Sequence, residues 1–328
     1  MNVAVTYYCN QKCGYCFGMD AMNAIAFGEN ITAAREMTFA NLKKIMVFMK
    51  KSGVSIFSMI GGEPTLHSRF EQVYNKISAN GFSILIFSNG VIDKQRVDFL
   101  REQDSLNGVL LNIRQPAEYS QRDWKKILYT LSSLKNKIIL SFRIYRLDFN
   151  PVFLFDLIDQ YGLQRWINWA PACPSLVRDN IFLRLEDYEQ AAERMVKFSR
   201  ISKKRKISWY PDSGFILCAF SNGKLEEIRR NVDFVPAANC FPAIEVAPDL
   251  KVFRCFGLAS KSRPGLKITD FKNLVEARQY FYLKSLPFKR IGSMDKCFKC
   301  EHLISQKCGG GCMVHILKRF PDHKDPIF

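Results

Sequence analysis

The stretch NVAVTYYCNQKCGYCFG, residues 2–18, leads a short apolar segment directly into three cysteines. Its first part, NVAVTYY, is rich in β-branched and aromatic residues, and this composition predicts a buried β-strand. Cys9, Cys13 and Cys16 follow with the spacing C-x3-C-x2-C. A structural metal site usually has four ligands, so three thiols on one short loop leave one position of a bound metal group without a protein ligand.

Strand-like and helix-like segments alternate through the first two-thirds of the chain. Repeated β-then-α units imply right-handed crossovers and a parallel sheet, which curls readily into a barrel. The sequence therefore predicts an α/β fold whose first domain, residues 1–205, is a partial (β/α)6 TIM-like barrel. The predicted strands are 2–8, 54–60, 82–90, 108–114, 138–146 and 166–171, and the predicted helices are 38–53, 66–81, 93–103, 124–135, 152–162 and 186–200.

The first predicted helix has an apolar face and recognisable ends. Thr38 is predicted as its N-cap, and Gly53 stands where a C-terminal cap belongs. The residues predicted to face the core are Leu42, Ile45, Met46 and Met49.

The character of the chain changes near residue 205. Beyond it the segments are short, and glycines, prolines and cysteines cluster. We predict a second, small Cys-rich domain over residues 206–328. It should contain a β-hairpin at 244–255, with a turn at Pro248 and Asp249.

Composition limits the classes of protein to consider. No run of eighteen or more apolar residues appears, so no membrane span is expected. Eleven cysteines without an export signal favour metal ligation over disulfides, and a cytoplasmic location. The net charge of +17 indicates a solvated basic surface that could face an acidic polymer or peptide, and charge alone does not predict nucleic-acid binding.

Two metal groups suit the three-cysteine loop. A four-iron cubane cluster held by three thiolates would keep one iron open for an external ligand. A zinc ion would need a nearby His or Cys, and the first histidine in the chain is His67.

The loop and the segment after the second strand together resemble the radical S-adenosylmethionine (SAM) superfamily. The resemblance rests on the C-x3-C-x2-C spacing, on Tyr15 before the third cysteine, and on the motif Gly61-Gly62-Glu63-Pro64 at the end of the second predicted strand. In that family this motif lies along the methionine end of SAM and contacts its amino group. Glycines allow a backbone to approach a ligand closely.

The resemblance implies an activity and its cofactors. The open iron of a [4Fe-4S] cluster at the loop would chelate the amino and carboxylate groups of SAM. One electron, from a donor such as flavodoxin or ferredoxin, would cleave SAM to a 5′-deoxyadenosyl radical that abstracts a hydrogen atom from the substrate.

Further SAM contacts follow from the same resemblance. Ser88 and Asn89 resemble the family's TNG segment after the third strand. Asn112 ends the fourth strand, where this chain departs from the family's usual aspartate-containing segment. Arg143 on the fifth strand could bind the SAM carboxylate, although an ion pair within the protein is an equal alternative for Arg143 and Arg146.

The C-terminal cysteines resemble the SPASM extension, which holds auxiliary iron–sulfur clusters. The chain departs from that pattern because Leu250 replaces the hairpin glycine, and because no cysteine follows Cys312. The resemblance assigns one auxiliary [4Fe-4S] cluster to Cys218, Cys240, Cys255 and Cys312. It assigns a second one to Cys297, Cys300 and Cys308.

The fourth ligand of the second auxiliary cluster stays open. The tail offers His315, Asp322, His323 and Asp325, or one iron could lack a protein ligand. A single auxiliary cluster, or zinc, are the alternatives.

Cys173 belongs to neither predicted set. It follows the sixth strand in APACPS, at the expected mouth of the barrel. It could donate a hydrogen atom to a substrate radical, as cysteines do in peptide epimerases of this superfamily, or ligate a cluster. It could also be a small buried residue without chemistry.

The resemblance implies a maturase that acts on a ribosomal peptide or a protein side chain. The product would be a crosslink, a thioether, an epimerised residue or an oxidised residue. The chain starts at its first strand, so a separate leader-recognition protein would be expected to assist. The alternative is a dehydrogenase or rearrangement enzyme that acts on a small molecule. A non-enzymatic iron–sulfur scaffold would not need Glu63 or the open loop.

Overall fold

One sheet, with nine strands among the described residues, organises the fold. The structure is a computed structural model that describes residues 1–18, 35–212, 214–221, 223–236, 238–321 and 325–328. The strands are β1 Asn2–Thr6, β2 Ile56–Gly61, β3 Ser83–Ser88, β4 Leu106–Asn112, β5 Ile138–Ile144, β6 Trp166–Pro171, β7 Ser208–Pro211, β8 Glu245–Val246 and β9 Val252–Phe253.

The strands are arranged in chain order from β7 to β1, followed by β8 and β9. All neighbours are parallel except β8 and β9. Neighbours that follow one another in sequence, all parallel, require each crossover to return on the same side of the sheet. This is the winding of a TIM-type barrel, and the open edges at β7 and β9 make it a partial one. The predicted fold class is confirmed.

The helices lie between the strands at the predicted places. Thr38 accepts a hydrogen bond from the amide of Asn41, as predicted for the cap of the first helix, and the four residues predicted to face the core are buried. The helices are α1 Phe39–Lys51, α2 Phe70–Ala79, α3 Lys94–Arg101, α4 Gln121–Leu134, α5 Val152–Tyr161, α6 Tyr188–Lys204, α7 Lys224–Asn231, α8 Leu274–Lys289, α9 Glu301–Ile304 and α10 Met313–Lys318.

A seventh parallel strand, β7, was not predicted from the sequence. It has only four residues, and Ser208 and Tyr210 on it are exposed, so it lacks an apolar signature. It pairs with β6 at one edge of the sheet, and β8 pairs with β1 on the other side. Residues beyond 205 therefore extend the barrel sheet, and the division into domains at 205/206 stays a prediction.

The predicted hairpin is present as β8 and β9. Leu250 lies in its turn with φ +71°, a left-handed conformation that favours glycine. The side chain is buried, so its apolar contacts offset the backbone strain. Within the described part of the chain, no helix has the length and apolar character needed to cross a membrane.

Candidate active site

The three cysteines of the opening motif lie on a loop at the C-terminal end of β1. The amide of Cys16 donates to the carbonyl oxygen of Cys13 at 3.1 Å, so the last two cysteines share one turn. Cys9 is exposed as a residue, whereas Cys13 and Cys16 are half-buried. Partial burial of its thiol raises the pKa of Cys9 to about 11, and nearby Glu63, Cys13 and Cys16 add to this shift.

The glycines after β2 bring the backbone against this loop. The amide of Gly62 donates to the carbonyl oxygen of Thr6 at 3.0 Å, and that of Glu63 donates to Tyr8 at 2.7 Å. A Cβ on Gly62 would lie 2.3 Å from the Tyr8 oxygen and 2.9 Å from Cys9 Cβ. The close approach predicted for these glycines is therefore an approach to the cysteine loop itself.

The carboxylate of Glu63 is completely buried and ties β2 to β3. One oxygen accepts from the amide and hydroxyl of Thr65, and the other from the hydroxyl of Ser88 at 2.8 Å and the amide of Asn89 at 2.9 Å. Burial raises the pKa of Glu63, and these hydrogen bonds oppose the rise. The four donors make this carboxylate a structural connection between two strand ends.

Asn89 continues the connection to the first cysteine. Its side-chain amide donates to Asn10 Oδ1 at 2.8 Å and lies 3.7 Å from Cys9 Sγ, within hydrogen-bond reach of sulfur. The backbone amide of Gln11 is a second donor to the same sulfur, at 3.5 Å. Two donors aimed at one sulfur favour its thiolate form, which is the form that binds iron.

Tyr15 and Asn112 meet under the loop. Asn112 Nδ2 donates to the Tyr15 hydroxyl at 3.0 Å, and the Tyr15 ring stacks on Tyr145 with centroids 4.6 Å apart. Asn112 Oδ1 is buried and has no hydrogen-bond partner among the described residues. A buried acceptor without a partner at the C-terminal end of β4 suits a ligand that carries a donor, as SAM does.

Arg114 is a site residue that the sequence analysis did not single out. Its guanidinium donates to Gln11 Oε1 at 2.7 Å and lies over the Tyr119 ring at 4.4 Å. Burial raises the pKa of Cys13, and the charge of Arg114 opposes this rise. An arginine two residues after a strand gives no sequence signal that it will reach a neighbouring loop.

Arg143 makes an ion pair within the protein. Its guanidinium lies 3.4 Å from a carboxylate oxygen of Asp212. Arg146 is half exposed, and its nearest carboxylate oxygens, on Glu118 and Asp148, are 3.9 Å away. The structure thus shows the internal ion pair that was the alternative to SAM binding for Arg143.

The segment after β6 folds over the cysteine loop. The side-chain amide of Asn180 donates to the carbonyl oxygens of Cys173 at 3.0 Å and Tyr15 at 3.4 Å. The amide of Ile181 donates to Gly14 at 2.9 Å, and the Arg178 guanidinium contacts the Cys16 carbonyl oxygen. Asn180 therefore connects the backbone of the cysteine loop to the backbone at Cys173.

Cys173 lies beside two of the cysteines assigned to the first auxiliary cluster. The thiol of Cys312 lies near those of Cys173 and Cys240, and the interaction with Cys173 is the main cause of a rise in the pKa of Cys312 to about 12. Burial raises the pKa of Cys255, and the thiols of Cys240 and Cys312 raise it further.

Cys218 lies with the other cysteine group. Burial raises the pKa of its thiol, Lys296 lowers it, and the thiols of Cys308, Cys297 and Cys300 raise it. The resemblance assigns Cys218 to the same auxiliary cluster as Cys240, Cys255 and Cys312. The thiols that act on Cys218 are those of Cys308, Cys297 and Cys300, whereas the thiols that act on Cys312 are those of Cys173 and Cys240.

The residues named as possible oxygen or nitrogen ligands are differently placed. His315 is buried between the rings of Phe182 and Tyr188, at centroid distances of 5.7 and 6.2 Å. Burial lowers its pKa to about 4. Asp325 is exposed near the C-terminus. Asp322 and His323 lie outside the described residues.

A zinc ion held directly by side chains is not favoured by the described residues. Sulfur atoms around one zinc ion lie about 3.8 Å apart, given a Zn–S distance of about 2.3 Å. Across the described ranges, no three His, Cys, Asp or Glu side chains are spaced to hold one metal ion. A four-iron cluster is larger and takes thiolate ligands, so it suits this donor set.

Comparisons with known proteins agree with this chemistry. The family model of the radical SAM superfamily matches residues 3–144. An S-adenosylmethionine-dependent nucleotide dehydratase of Selenomonas ruminantium is 31% identical over 91 residues, which cover 27% of this chain and 29% of the relative. A GTP 3′,8-cyclase of Chlorobaculum tepidum is 28% identical over 115 residues, 34% of this chain and 32% of the relative. The chain thus spans about a third of the length of these two curated relatives.

The fold resembles that of a solved protein over nearly its whole length. The crystal structure of Streptococcus suis SuiB bound to S-adenosylmethionine matches with a TM-score of 0.68 at 14% identity, covering 99% of this chain and 74% of that one. SuiB bound to its precursor peptide SuiA matches with a TM-score of 0.67 at 15% identity, covering 99% and 73%. At such identities the likeness shows the fold alone. Residues 3–144, which contain the cysteine loop, are therefore a radical SAM domain.

Proposed function

We propose that this chain reductively cleaves SAM at the loop of Cys9, Cys13 and Cys16 and abstracts a hydrogen atom from a peptide or protein side chain. The observation that carries the proposal is the packing of Gly62 and Glu63 against that loop, which fixes three thiols at the C-terminal end of β1. When bound there, a four-iron cluster and SAM supply the radical chemistry of the superfamily.

The chain's own residues prepare this site in three ways. Asn89 and the amide of Gln11 direct donors at Cys9, and the charge of Arg114 favours the thiolate of Cys13. The buried Asn112 oxygen offers an acceptor for SAM. The segment after β6 covers one side of the loop through Asn180, which restricts the access of water to a reactive radical.

Two features support a peptide substrate. The fold likeness to SuiB extends over residues beyond the barrel, and SuiB has been seen with its precursor peptide. The net charge of +17 would favour an acidic peptide segment. We therefore propose a peptide maturase, served by an electron donor such as flavodoxin or ferredoxin and by a leader-recognition protein.

A small-molecule substrate is the second candidate. It is favoured by the curated relatives, which are named for reactions on nucleotides. A strongly basic chain would also attract the phosphates of a nucleotide.

Anaerobic reconstitution with iron and sulfide, followed by reduction in the presence of SAM, tests the activity. We expect 5′-deoxyadenosine from the wild type and none above background from Cys13→Ala. Equal amounts from the two proteins would overturn the proposal. Val47→Ala, at an exposed position on α1, is the control and should keep the activity of the wild type.

Deuterium transfer separates the two substrate classes. Deuterated acidic peptides and deuterated nucleoside triphosphates are supplied in turn, and label is sought in 5′-deoxyadenosine by mass spectrometry. Transfer from a peptide supports the first candidate. Transfer from a nucleotide alone would replace it with the second.

A further inference from the structure

The eight cysteines outside the opening loop come from six separate parts of the chain, and the fold sorts them into two groups of four. One group gathers around Cys312, on the turn before α10. The other gathers around Cys297 and Cys300, between α8 and α9. This grouping differs from the one that the sequence resemblance implies.

The first group consists of Cys173, Cys240, Cys255 and Cys312, which are linked by side-chain and backbone contacts. The Cys312 thiol contacts those of both Cys173 and Cys240. The hairpin joins Cys240 to Cys255, because the amide of Ile244 donates to the carbonyl oxygen of Arg254 at 3.1 Å. The fourth member, Cys173, is anchored through its carbonyl oxygen, which accepts from the Asn180 side chain.

Gly257 keeps space open on the other side of Cys173. A Cβ at Gly257 would lie 3.8 Å from Cys173 Sγ and 3.0 Å from the side chain of Val314. The segment after the hairpin and α10 therefore pack directly against the segment after β6. The four cysteines of this group converge although Cys173 lies far from the others in sequence.

The second group is built on a tight turn. The amide of Cys300 donates to Cys297 at 3.1 Å, and the amide of Cys308 donates to the carbonyl oxygen of His302 at 2.9 Å. A Cβ at Gly292 would lie 2.8 Å from Cys297 Sγ, so the backbone there presses against the thiol.

Cys218 reaches the second group from a short 3-10 helix, Leu217–Phe220. The side chain of Ile216, just before this helix, would lie 3.1 Å from a Cβ on Gly311. Gly311 in turn faces Ser293, next to Gly292. The glycine segment before Cys312 and the loop before Cys297 thus form the surface on which the 3-10 helix rests.

A buried cation indicates that the first group carries negative charge. Arg254 is completely buried, and its guanidinium donates to Ser285 Oγ at 2.7 Å, to Cys240 Sγ at 3.3 Å and to the Cys240 carbonyl oxygen. It makes no ion pair with a carboxylate among the described residues. A buried charge needs an anionic partner, and thiolates that bind iron provide one.

We propose that Cys173 completes a four-thiolate iron–sulfur site with Cys240, Cys255 and Cys312, and that Cys218 completes a second one with Cys297, Cys300 and Cys308. The absent last cysteine of the SPASM pattern is then replaced by Cys218, and no ligand from the tail is needed. Cys173 is bound in its thiolate form and holds no hydrogen atom to donate to a substrate radical.

Pairs of substitutions test the grouping without SAM or substrate, so the result is independent of the proposed function. The parent protein lacks the three loop cysteines and should bind about eight irons in two four-iron clusters. Cys173→Ala with Cys255→Ala should disturb one cluster and leave about four irons, with the electron paramagnetic resonance signal of the other cluster unchanged. Cys218→Ala with Cys300→Ala should have the converse effect.

Pairs that combine one cysteine from each group should disturb both clusters. Cys218→Ala with Cys255→Ala should alter the signals of both clusters, and so should Cys173→Ala with Cys300→Ala. The grouping is overturned if Cys218→Ala with Cys255→Ala leaves one cluster unchanged. It is also overturned if the Cys173→Ala variant keeps both native signals.

Circular dichroism and thermal melting monitor folding of each pair. Where a pair fails to fold, single serine variants in the otherwise intact protein replace it. The spectrum of Cys173→Ser should then change the same signal as Cys255→Ser, and that of Cys218→Ser the same signal as Cys300→Ser. The reverse pattern would contradict the proposal.

Discussion

The buried guanidinium of Arg254 donates a hydrogen bond to Cys240 Sγ at 3.3 Å. The thiols of Cys240, Cys255 and Cys312 all raise the pKa of Arg254, against the lowering effect of its burial. Lys289 is a second cation near Cys240, and it is held over the rings of Phe241 and Tyr282. Arg254 and Lys289 thus place two positive charges near Cys240, where an anionic group could bind.

Arg254→Met is therefore expected to act in opposite directions in two forms of the protein. With iron–sulfur clusters bound, it removes the partner of an anionic site and should lower the free energy of unfolding by roughly 3–5 kcal/mol. Without clusters, it removes a buried charge and should be neutral or stabilising. Urea unfolding of both forms measures this, with the exposed Arg263→Met as control. A loss of the same size in both forms would show that Arg254 stabilises the fold independently of any cluster.

Gly62→Ala is expected to displace the cysteine loop. The added Cβ would collide with the Tyr8 carbonyl oxygen and with Cys9, and overpacking of this kind costs about 1–3 kcal/mol. We expect the variant to lose about four irons per chain and its 5′-deoxyadenosine production. Gly53→Ala is the matched control, because a Cβ there meets nothing within 4 Å and only its φ of +66° is strained. Iron retention in Gly62→Ala equal to that of the control would contradict the role assigned to the close approach.

Tyr15→Phe should leave the Asn112 side-chain amide without a hydrogen-bond partner among the described residues. Its oxygen already lacks one among the described residues, and the lost hydroxyl is the acceptor for Nδ2. An unsatisfied buried polar group costs about 1–3 kcal/mol, while the stacking on Tyr145 is retained. Tyr129→Phe removes a hydroxyl bonded to Asp98 in a more exposed place and should cost less. Equal losses in urea unfolding would show that the Asn112 amide finds another partner.

The stability of the protein should fall in mild acid because of His315. Burial, aided by the charge of Lys318, lowers its pKa to about 4 from an ordinary value of 6.5. The unfolded chain therefore binds the proton more readily, and the stabilisation is complete above about pH 6.5 and is lost progressively as the pH falls towards 4. The loss amounts to about 3 kcal/mol at its limit.

His315→Gln should remove this part of the pH dependence. Unfolding curves between about pH 4.5 and 7.5 would show a shallower slope than in the wild type, whereas the exposed His302→Gln should keep the wild-type slope. Parallel slopes for wild type and His315→Gln would contradict the assignment.

Much of the barrel and of the opening loop could be predicted from sequence. Strand and helix periodicities are local signals, and the cysteine spacing together with Gly61 and Gly62 is a local motif. The short strand β7 was not predicted, because its pairing with β6, and not an apolar sequence, makes it a strand.

The proposed grouping of the cysteines could not be predicted from the sequence, because it depends on tertiary structure. Cys218 is closer along the chain to Cys240 than to Cys297, and nothing local shows that its 3-10 helix rests on the Gly311 segment. The burial of Arg254 is hidden for the same reason. The position of an arginine next to a cysteine in the sequence does not indicate that its side chain is buried.

Asn180 links two parts of the molecule through one amide nitrogen, which donates to Tyr15 beside the loop and to Cys173 beside Cys312. Electron tunnelling slows exponentially with the separation of the two redox centres. Once both proposed centres are filled, Asn180 helps to fix that separation, together with the contacts of Ile181 and Arg178 to the same loop. The rate at which an electron passes between the two proposed centres would then depend in part on side chains that bind neither iron nor substrate.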